Sequence, residues 1–335
     1  MLTLTSLPTR LVLLTMLCVT CLHASNFSIR SHAFSGTTYI HAADMATYYG
    51  MAIHRVGDKD VLLKGKERSL ELTINSRNAR LNGTKVNLSF AVRESKDEIY
   101  LSERDFSLLI DPVFRDWSIR PHRIQRIILD AGHGGKDDGA KGARVKEKQM
   151  VLQVTMLLRD MLRESGYEVV LTRSDDTFIE LYDRPKIASK KGGDLFISLH
   201  FNASASKSAA GIETYALTPQ HTPSTPKSSA EDDACRGNVF DRENHRLAFE
   251  IQRYLIGHTG ANDRGLRRHR FAVLREAPCP AVLVEMGFVS NPSEERQIMT
   301  SAYRKQLAAA VANGIIAYHY AIANSANYRA EATRE

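Results

Sequence analysis

Two hydrophobic spacings alternate along the second half of the chain. Short, nearly continuous apolar runs predict buried strands, and stretches with an apolar residue every three or four positions predict helices. A strand begins at Arg126 and runs into a glycine-rich turn. Further strands are predicted at 167–172, 194–199, 211–217, 271–274 and 281–285, and helices at 147–165, 181–191, 244–259 and 301–320. This alternation predicts an α/β fold, with a three-layer domain built on a mostly parallel sheet.

The region before Arg120 has a different pattern of apolar and polar residues. Short alternating or β-branched runs, among them VLLKG, LELTIN and KVNLSF, are separated by glycine, asparagine and charged residues. Two short helices are predicted at 42–49 and 103–110, the second ending before Asp111-Pro112. We therefore expect a small, strand-rich α+β domain over residues 25–120.

The first 24 residues are typical of a secretory signal peptide. One positive charge, Arg10, precedes an apolar run from Leu11 to Val19, which is too short for a transmembrane helix. Cleavage is expected near Ala24, so the protein is predicted to be exported and periplasmic or associated with the cell envelope. Cys18 and Cys21 leave lipidation open, although the residues before each are not those that lipoprotein processing prefers.

Two polar segments interrupt or follow the predicted α/β domain, which we place at 124–322. Residues 218–243 are rich in proline, serine, threonine and charge, and they are too polar to form a core of their own. We expect a mobile loop there, acting as a lid, contacting a regulatory partner or tolerated as a surface insertion. The tail at 323–335 is expected to fray.

Composition narrows the possible partners. The chain has 335 residues, 43% of them hydrophobic, which is enough for a full core and a second domain. Its net charge of +7 suits an anionic partner such as a cell-wall polymer or a membrane surface. Nucleic acid is not expected as a partner, because the basic residues are spread along the chain without a recognition motif.

Four residues of metal-site chemistry stand at related places in this pattern. His133 follows the first strand, Glu147 opens the next helix, and His200 and Glu285 close two further strands. Active sites of open parallel sheets collect at the carboxyl ends of the strands, so the four side chains should meet. Histidine and carboxylate ligands with one open position are typical of catalytic zinc.

Taken alone, each of these residues could also have an ordinary structural role. A glutamate at a helix start stabilises the helix dipole, a strand histidine can be a core residue, and a buried glutamate can form an ion pair. The glycines beside His133 could form an anion-binding turn, but the chain there lacks both the phosphate-loop lysine and the GxGxxG spacing. Co-occurrence of the four residues favours the metal site.

The motifs DAGHGGKDDGA, SLHFNAS, GIETY, RGLRRHRFAVLR and VEMGFVSN, in this order, resemble the zinc-dependent N-acetylmuramoyl-L-alanine amidases of the amidase-3 type. The resemblance covers about residues 124–320, with Ala131 at a position where the family often has proline. It implies that His133, Glu147 and His200 hold one zinc ion and that Glu285 is the catalytic carboxylate. The implied substrate is peptidoglycan, cleaved between N-acetylmuramic acid and L-alanine, and a protein activator is a further possible partner of an expected monomer.

Other hypotheses stay open at this point. The same ligand set could serve another zinc-dependent wall peptidase or deacetylase, and a non-catalytic wall-binding protein could retain the fold. The region before Arg120 resembles the copper-amine-oxidase N-terminal-like domain of cell-wall hydrolases, which implies a module that binds or positions the enzyme on the wall, or a spacer.

Several supporting residues complete the predicted site. Asn202 is a candidate for orienting His200 or the substrate, and Arg275 for meeting an anionic peptide. Asp130, Asp137 and Asp138 are expected to support the ligands or the turn. Beyond the leader only Cys235 and Cys279 remain, and their sequence leaves both a disulfide and free thiols open.

Overall fold

A computed structural model describes residues 28–225, 227 and 229–332. The predicted leader, with Cys18 and Cys21, lies outside these residues. Within the described ranges, no helix is both long enough and apolar enough to cross a membrane.

The N-terminal region is built from short strands with two helical pieces, as predicted. Its first helix is α1 (Ala42–Tyr48), and a second helical stretch joins α2 (Glu103–Asp105), a π-helical turn (Phe106–Ile110) and α3 (Asp111–Phe114). A 3-10 turn (Asp116–Ser118) then leads out of the region. The strands are β1 (Ser31–Phe34), β2 (Thr37–His41), β3 (Ala52–Val56), β4 (Asp60–Lys64), β5 (Ser69–Thr73), β6 (Asn78–Leu81), β7 (Thr84–Asn87), β8 (Arg93–Ser95) and β9 (Glu98–Ser102).

The C-terminal region alternates strands and helices. Its strands are β10 (Arg126–Ala131), β11 (Glu168–Leu171), β12 (Leu195–Asn202), β13 (Ile212–Leu217), β14 (Asp263–His269) and β15 (Ala281–Phe288). Its helices are α4 (Glu147–Glu164), α5 (Asp183–Lys191), α6 (Asp241–Thr259), α7 (Ala272–Arg275), α8 (Pro292–Ile298) and α9 (Ser301–Ala332), with a 3-10 turn (Arg236–Phe240) before α6.

The C-terminal strands form a mostly parallel sheet in the order β11-β10-β12-β15-β13-β14. β13 runs antiparallel to β15, and the other neighbouring pairs are parallel. Alternate residues of each strand enter two different apolar clusters: Ile127 packs with the α4, α6 and α9 side, whereas Ile128 packs with α5 and α7. Because strand side chains alternate between faces, helices cover both sides of the sheet. The three-layer α/β prediction is confirmed.

The sheet does not stop at the edge of the C-terminal region. β14 pairs in parallel with β7 through Leu266 and Val86, which extends the order through β7-β6-β5-β4-β3 to eleven strands. A separate four-stranded sheet has the order β1-β2-β9-β8. The N-terminal and C-terminal regions differ in their hydrophobic patterns, but they share one sheet.

A buried ion pair lies where the two regions meet. Arg268 on β14 donates from Nη1 to Oδ1 of Asp105 at 3.1 Å, and the two side chains are 1% and 0% exposed. The same carboxylate accepts hydrogen bonds from the backbone N–H groups of Ser89 and Phe90 and from the Ser102 hydroxyl. Breaking a buried pair typically costs about 3–5 kcal/mol, so this contact fixes the N-terminal region against β14.

The strand prediction at 271–274 is wrong. The strand lies earlier, at β14, and the chain from Ala272 to Arg275 makes one helical turn. β14 carries the sequence DRGLRRH, whose inward positions include the buried Arg268. Since a buried arginine reads as an exposed residue in sequence, the alternation of this strand was hidden.

The predicted end of the last helix is also wrong. Helix α9 continues to Ala332 instead of fraying after Ala321. The Ser325 hydroxyl is buried and donates to the backbone carbonyl of Ile119, and the ring of Tyr328 stacks on Trp117 at 4.6 Å. These contacts with the linker between the two regions stabilise the polar final turns.

The second N-terminal helix does not end before Asp111-Pro112. A π-helical turn carries the helical path from Asp105 into α3, and Pro112 stands in the first turn of α3. Pro112 has no N–H to donate, and it stands where the π-helical turn gives way to α3.

The polar segment 218–243 packs on the N-terminal region. Arg77 donates to the backbone carbonyls of Pro223, Ser224, Thr225 and Lys227, and Arg104 donates to that of Gln220. Its described residues form no apolar core of their own, as expected, and polar contacts such as those of Glu231 with His221, Thr222 and Ser224 hold the segment together. Its mobility stays a prediction.

The contact between α6 and α9 depends on a glycine, which gives a stability prediction. A Cβ atom at Gly314 would lie 2.6 Å from the Ile251 Cα atom, whereas one at Gly257 on α6 would meet no atom within 4 Å. We expect Gly314→Ala to destabilise the protein by about 1–3 kcal/mol through overpacking. Gly257→Ala should leave stability equal or raise it by up to ~1 kcal/mol, because alanine favours helices. Thermal melts of both variants test this, and equal melting temperatures would contradict the close approach.

Candidate metal centre and active site

The turn after β10 presents the first candidate ligand. His133 has a backbone φ of 60°, in the left-handed region that residues other than glycine adopt only uncommonly. Its side chain is oriented by Asp137, whose Oδ2 lies 2.7 Å from His133 Nδ1. With Nδ1 held by the carboxylate, Nε2 is left facing Glu147.

Three predicted ligands converge. Glu147 Oε1 lies 3.1 Å from His133 Nε2 and 2.9 Å from His200 Nδ1. One donor atom from each of His133, Glu147 and His200 lies within 4.8 Å of the others, so this group could hold a metal ion. The prediction that these strand and helix ends meet is confirmed, although β12 continues two residues beyond His200.

Backbone donors fix the Glu147 carboxylate. Its Oε2 accepts from the Ala140 N–H at 2.7 Å, and its Oε1 accepts from the Phe201 N–H at 3.0 Å. Burial by itself raises the pKa of Glu147, but hydrogen bonds from His133 and His200 lower that pKa below its ordinary value. The group is therefore a carboxylate at neutral pH, as a metal ligand must be.

The turn packs tightly against two of the candidate ligands at Gly139. A Cβ atom there would lie 2.6 Å from Glu147 Oε2 and 2.7 Å from His133 Cδ2, at a φ of 68°. The turn therefore encloses the ligand atoms so closely that only glycine fits. A set of two imidazole nitrogens and one carboxylate oxygen with an open side matches catalytic zinc, so the residues present fit this metal.

The buried side chain of Asp130 holds the elements around the turn after β10 in place. Asp130 accepts from Thr172 Oγ1, Ser198 Oγ and Arg184 Nη1, each at 2.8 Å. Arg184 also donates to the backbone carbonyls of Ala131 and His133.

Arg173 reaches the same backbone, and the sequence analysis missed it. It donates to the Ala131 and Gly132 carbonyls at 2.9 Å and 2.7 Å. An arginine just past a strand end gives no distinguishing signal, since most such residues are exposed.

Glu285 faces the ligands from the neighbouring strand. It is the register partner of His200 on β12 and of Glu213 on β13. Its Oε2 atom is buried and, among the described residues, has no hydrogen-bond partner. Burial, together with the negative charges of Glu147 and Glu213, raises the pKa of Glu285 well above its ordinary value.

A second carboxylate beside Glu285 was not predicted. Glu213 is 1% exposed and accepts from the Asn202 amide, the Tyr215 hydroxyl and the Arg264 guanidinium. Arg267 lies 3.2 Å from the same carboxylate. The available signal was a glutamate beside Ile212 in a predicted strand, where burial of an unpaired charge would be costly.

The remaining predicted residues divide between the site and its surroundings. Asn202 lines the cavity, and its amide holds Glu213 at 2.9 Å. Asp138 lies in the turn, where it forms ion pairs with three lysines. Arg275 is not among the residues that line the described cavity, and its buried Nε atom has no hydrogen-bond partner among the described residues. The roles predicted for Asn202 and Arg275 toward substrate stay predictions.

The ligand group opens into a cavity of about 470 Å³. One wall comes from the loop before α5, with Phe178 and Leu181, and another from Phe271, Ala272 and Val273. In the part of the chain that the structure describes, no residue of 218–243 lines the cavity, so the lid hypothesis gains no support. Three donors, a carboxylate with a buried, unpaired oxygen atom and an open cavity together form an arrangement that can activate water against a bound carbonyl.

Comparison with known proteins agrees with this chemistry. A profile of the family described as N-acetylmuramoyl-L-alanine amidase (Amidase_3) matches residues 127–317. The N-acetylmuramoyl-L-alanine amidase AmiA of Escherichia coli K12 is 35% identical over 219 residues, which cover 58% of this chain and 76% of AmiA. The uncharacterized protein YqiI of Bacillus subtilis is 36% identical over 200 residues, which cover 59% of this chain and 87% of YqiI.

Solved structures extend the likeness to the fold. An N-acetylmuramoyl-L-alanine amidase from Clostridium difficile 630 is 31% identical, with a TM-score of 0.50 over 59% of this chain and 97% of that structure. The CwlD amidase from Clostridioides difficile, solved in complex with the GerS lipoprotein, is 28% identical, with a TM-score of 0.50 over 58% of this chain and 98% of CwlD. Because the matched family span contains the whole ligand group and the Glu285 strand, the chain belongs to the N-acetylmuramoyl-L-alanine amidase family.

Proposed function

We propose that this peptidoglycan amidase cleaves the bond between N-acetylmuramic acid and L-alanine with a zinc ion held by His133, Glu147 and His200, and with Glu285 as the catalytic carboxylate. The observation that carries the proposal is the convergence of the three donors beside the buried, unpaired Oε2 of Glu285. Zinc in such a site polarises a carbonyl and lowers the pKa of water to about 7.

The protein groups have distinct tasks in this reaction. Glu285 takes the proton of the attacking water at its free Oε2 and later gives it to the departing alanine nitrogen. Asp137 orients His133, and the Ala140 and Phe201 N–H groups orient Glu147, so the ligands need little rearrangement when the metal binds.

The wider assignments follow from the substrate. Peptidoglycan lies outside the cytoplasm, so we propose export to the periplasm or cell envelope, consistent with the leader predicted at 1–24. The domain division at 25–120 and 124–322, and a wall-positioning role for the first domain, are part of the same proposal. The solved CwlD–GerS complex motivates the further proposal that a protein activator binds this enzyme. We keep the expectation of a monomer.

Replacing the catalytic carboxylate should separate chemistry from metal binding. Glu285→Gln is expected to lower the amidase rate about 10²–10⁴-fold, because proton transfer is lost, while zinc content stays at one per chain. The exposed Glu276→Gln is the matched control and should keep full activity. Turnover on purified peptidoglycan and zinc measured by mass spectrometry check both. An active Glu285→Gln enzyme would overturn the role of Glu285.

Replacing a ligand should remove the metal as well as the activity. His133→Ala and His200→Ala are each expected to lower zinc affinity more than about tenfold, since even supporting residues cost 10–100-fold in such sites. His54→Ala, an exposed histidine of the N-terminal region, is the control and should bind zinc normally. Competition with a chromophoric chelator measures the affinity, and unchanged zinc binding in the two ligand variants would contradict the assignment.

The identity of the cleaved bond can be read from the products. Digestion should release intact stem peptides with new L-alanine amino termini, be lost on chelation and return with zinc. Products with new termini inside the stem would instead identify a peptidase, and free acetate a deacetylase. If zinc-loaded protein binds peptidoglycan without releasing any product, a non-catalytic binding role would replace the proposed reaction.

A further inference from the structure

A line of register partners crosses the shared sheet, starting at the proposed catalytic carboxylate. It has one member on each of six neighbouring strands: Glu285 on β15, Glu213 on β13, Gly265 on β14, Lys85 on β7, Arg80 on β6 and Glu71 on β5. Lys85 stands beside Gly265 because the residues that follow them, Val86 and Leu266, are paired. Register partners point to the same face of a sheet, so the line continues the face of Glu285 into the N-terminal region.

Glu213 connects the catalytic cavity to basic residues of β14. Its Oε1 accepts from Nδ2 of Asn202, a residue of the cavity wall, at 2.9 Å, and its Oε2 accepts from Arg264 Nε at 2.7 Å. Arg267 Nε lies 3.2 Å from the same carboxylate. The Glu213 side chain is 2% exposed, whereas those of Arg264 and Arg267 are 27% and 30% exposed. Two partly exposed guanidinium groups therefore share one buried carboxylate, which leaves positive charge at the surface.

Lys85 and Arg80 extend this positive charge across β7 and β6. Lys85 is partly exposed, and it forms no ion pair with any carboxylate that the structure describes. Arg80 is exposed, and its Nη1 lies 4.0 Å from Oδ2 of Asp263, whose side chain is mostly buried. Both cations line a second cavity, of about 450 Å³, on the outer face of the N-terminal strands. Asp60 and Glu71 line the same cavity, so the positive stretch ends at Arg80.

We call the four cations Arg264, Arg267, Lys85 and Arg80 the basic strip. Its two acidic neighbours, Glu213 and Asp263, are largely buried, so the charge that it offers to a ligand is positive. Because the strip begins at a residue bonded to the cavity wall, a ligand can occupy the cavity and the strip at once. An elongated molecule with negative groups at one end is the complementary ligand.

The spacing of the strands sets the length of that molecule. Neighbouring strands lie about 4.8 Å apart, so Lys85, three strands from Glu285, is ~14 Å away and Arg80, one strand further, is ~19 Å away. An extended peptide advances ~3.3–3.6 Å per residue, so about four to six residues cover the distance. A peptide of two residues, which spans ~7 Å, ends before β7.

We propose that the basic strip binds the carboxylates of the stem peptide attached to the scissile amide, so that the enzyme favours substrates with stems of four or more residues. This inference rests on the proposed function, because the stem peptide is part of the proposed substrate. Guanidinium and ammonium groups donate strong, charge-assisted hydrogen bonds to carboxylates. The N-terminal strands then take part in choosing the substrate of the neighbouring catalytic domain.

The first test compares N-acetylmuramoyl peptides that have two or five residues in an acidic stem. Lys85→Gln and Arg80→Gln, made in the full chain, should each raise KM for the five-residue substrate about two- to fivefold, the range of exposed charge pairs. The value of kcat should stay unchanged, because neither residue reaches the reacting atoms. KM for the two-residue substrate should stay unchanged as well.

A matched control is Lys66→Gln, which removes an exposed lysine of the N-terminal region outside the basic strip and should change neither substrate. Arg264 and Arg267 are left in place, because replacing them would also unpair the buried Glu213. Circular dichroism verifies that the variants fold. An equal rise in KM for both substrates, or no rise for the longer one, would overturn the proposal.

A binding measurement gives the same answer without turnover. Calorimetric titration of the full chain with the free five-residue peptide should show binding that weakens in higher salt and in Lys85→Gln. The same peptide with its carboxylates converted to amides should bind several-fold more weakly. Equal affinity of the two peptides, or no binding by either, would overturn the proposal, and so would displacement of the peptide by glycan strands without stems. Peptide binding through the strip by a protein that cleaves no substrate would count against the proposed function alone.

Discussion

The buried carboxylate of Asp130 is the contact on which the active site depends. It receives hydrogen bonds from Thr172 after β11, Ser198 on β12 and Arg184 on α5. Arg184 passes the constraint on to the carbonyls of Ala131 and His133. The Asp130 carboxylate therefore sets the relative positions of two strand ends, one helix and the turn that carries His133. Removing either Asp130 or Arg184 would leave the other as an uncompensated buried charge, at a cost of about 3–5 kcal/mol.

A second buried ion pair joins the two regions of the chain. Asp105 and Arg268 meet where β7 pairs with β14, so the catalytic sheet and the N-terminal sheet are one structure. The N-terminal region therefore moves with the active site, and so would the wall-positioning module that we propose it to be. Such rigid attachment differs from a flexible linker, which would let the module bind at one place while the enzyme samples the wall around it.

Much of this architecture could be predicted from the sequence, because strand and helix periods in the C-terminal region are regular and the strand-end histidines and glutamates lie where parallel sheets collect their sites. What failed has a common cause. Arg268 inside β14 and Glu213 inside β13 are buried charges whose partners lie far along the chain, and a sequence pattern assigns such residues to the surface. The π-helical turn before Pro112 and the final turns of α9 likewise depend on tertiary contacts that local propensity does not contain.

The extension of α9 carries a consequence for how the protein is made. Its last turns contact Asp116, Trp117 and Ile119, more than two hundred residues earlier, and they cover the link between the two regions. During synthesis the N-terminal region emerges long before this helix exists, and Arg268, the partner of its buried Asp105, also arrives late. Contacts of such long sequence separation slow folding and leave intermediates exposed. The contacts that close the link between the two regions can therefore form only once the last helix of the chain is available.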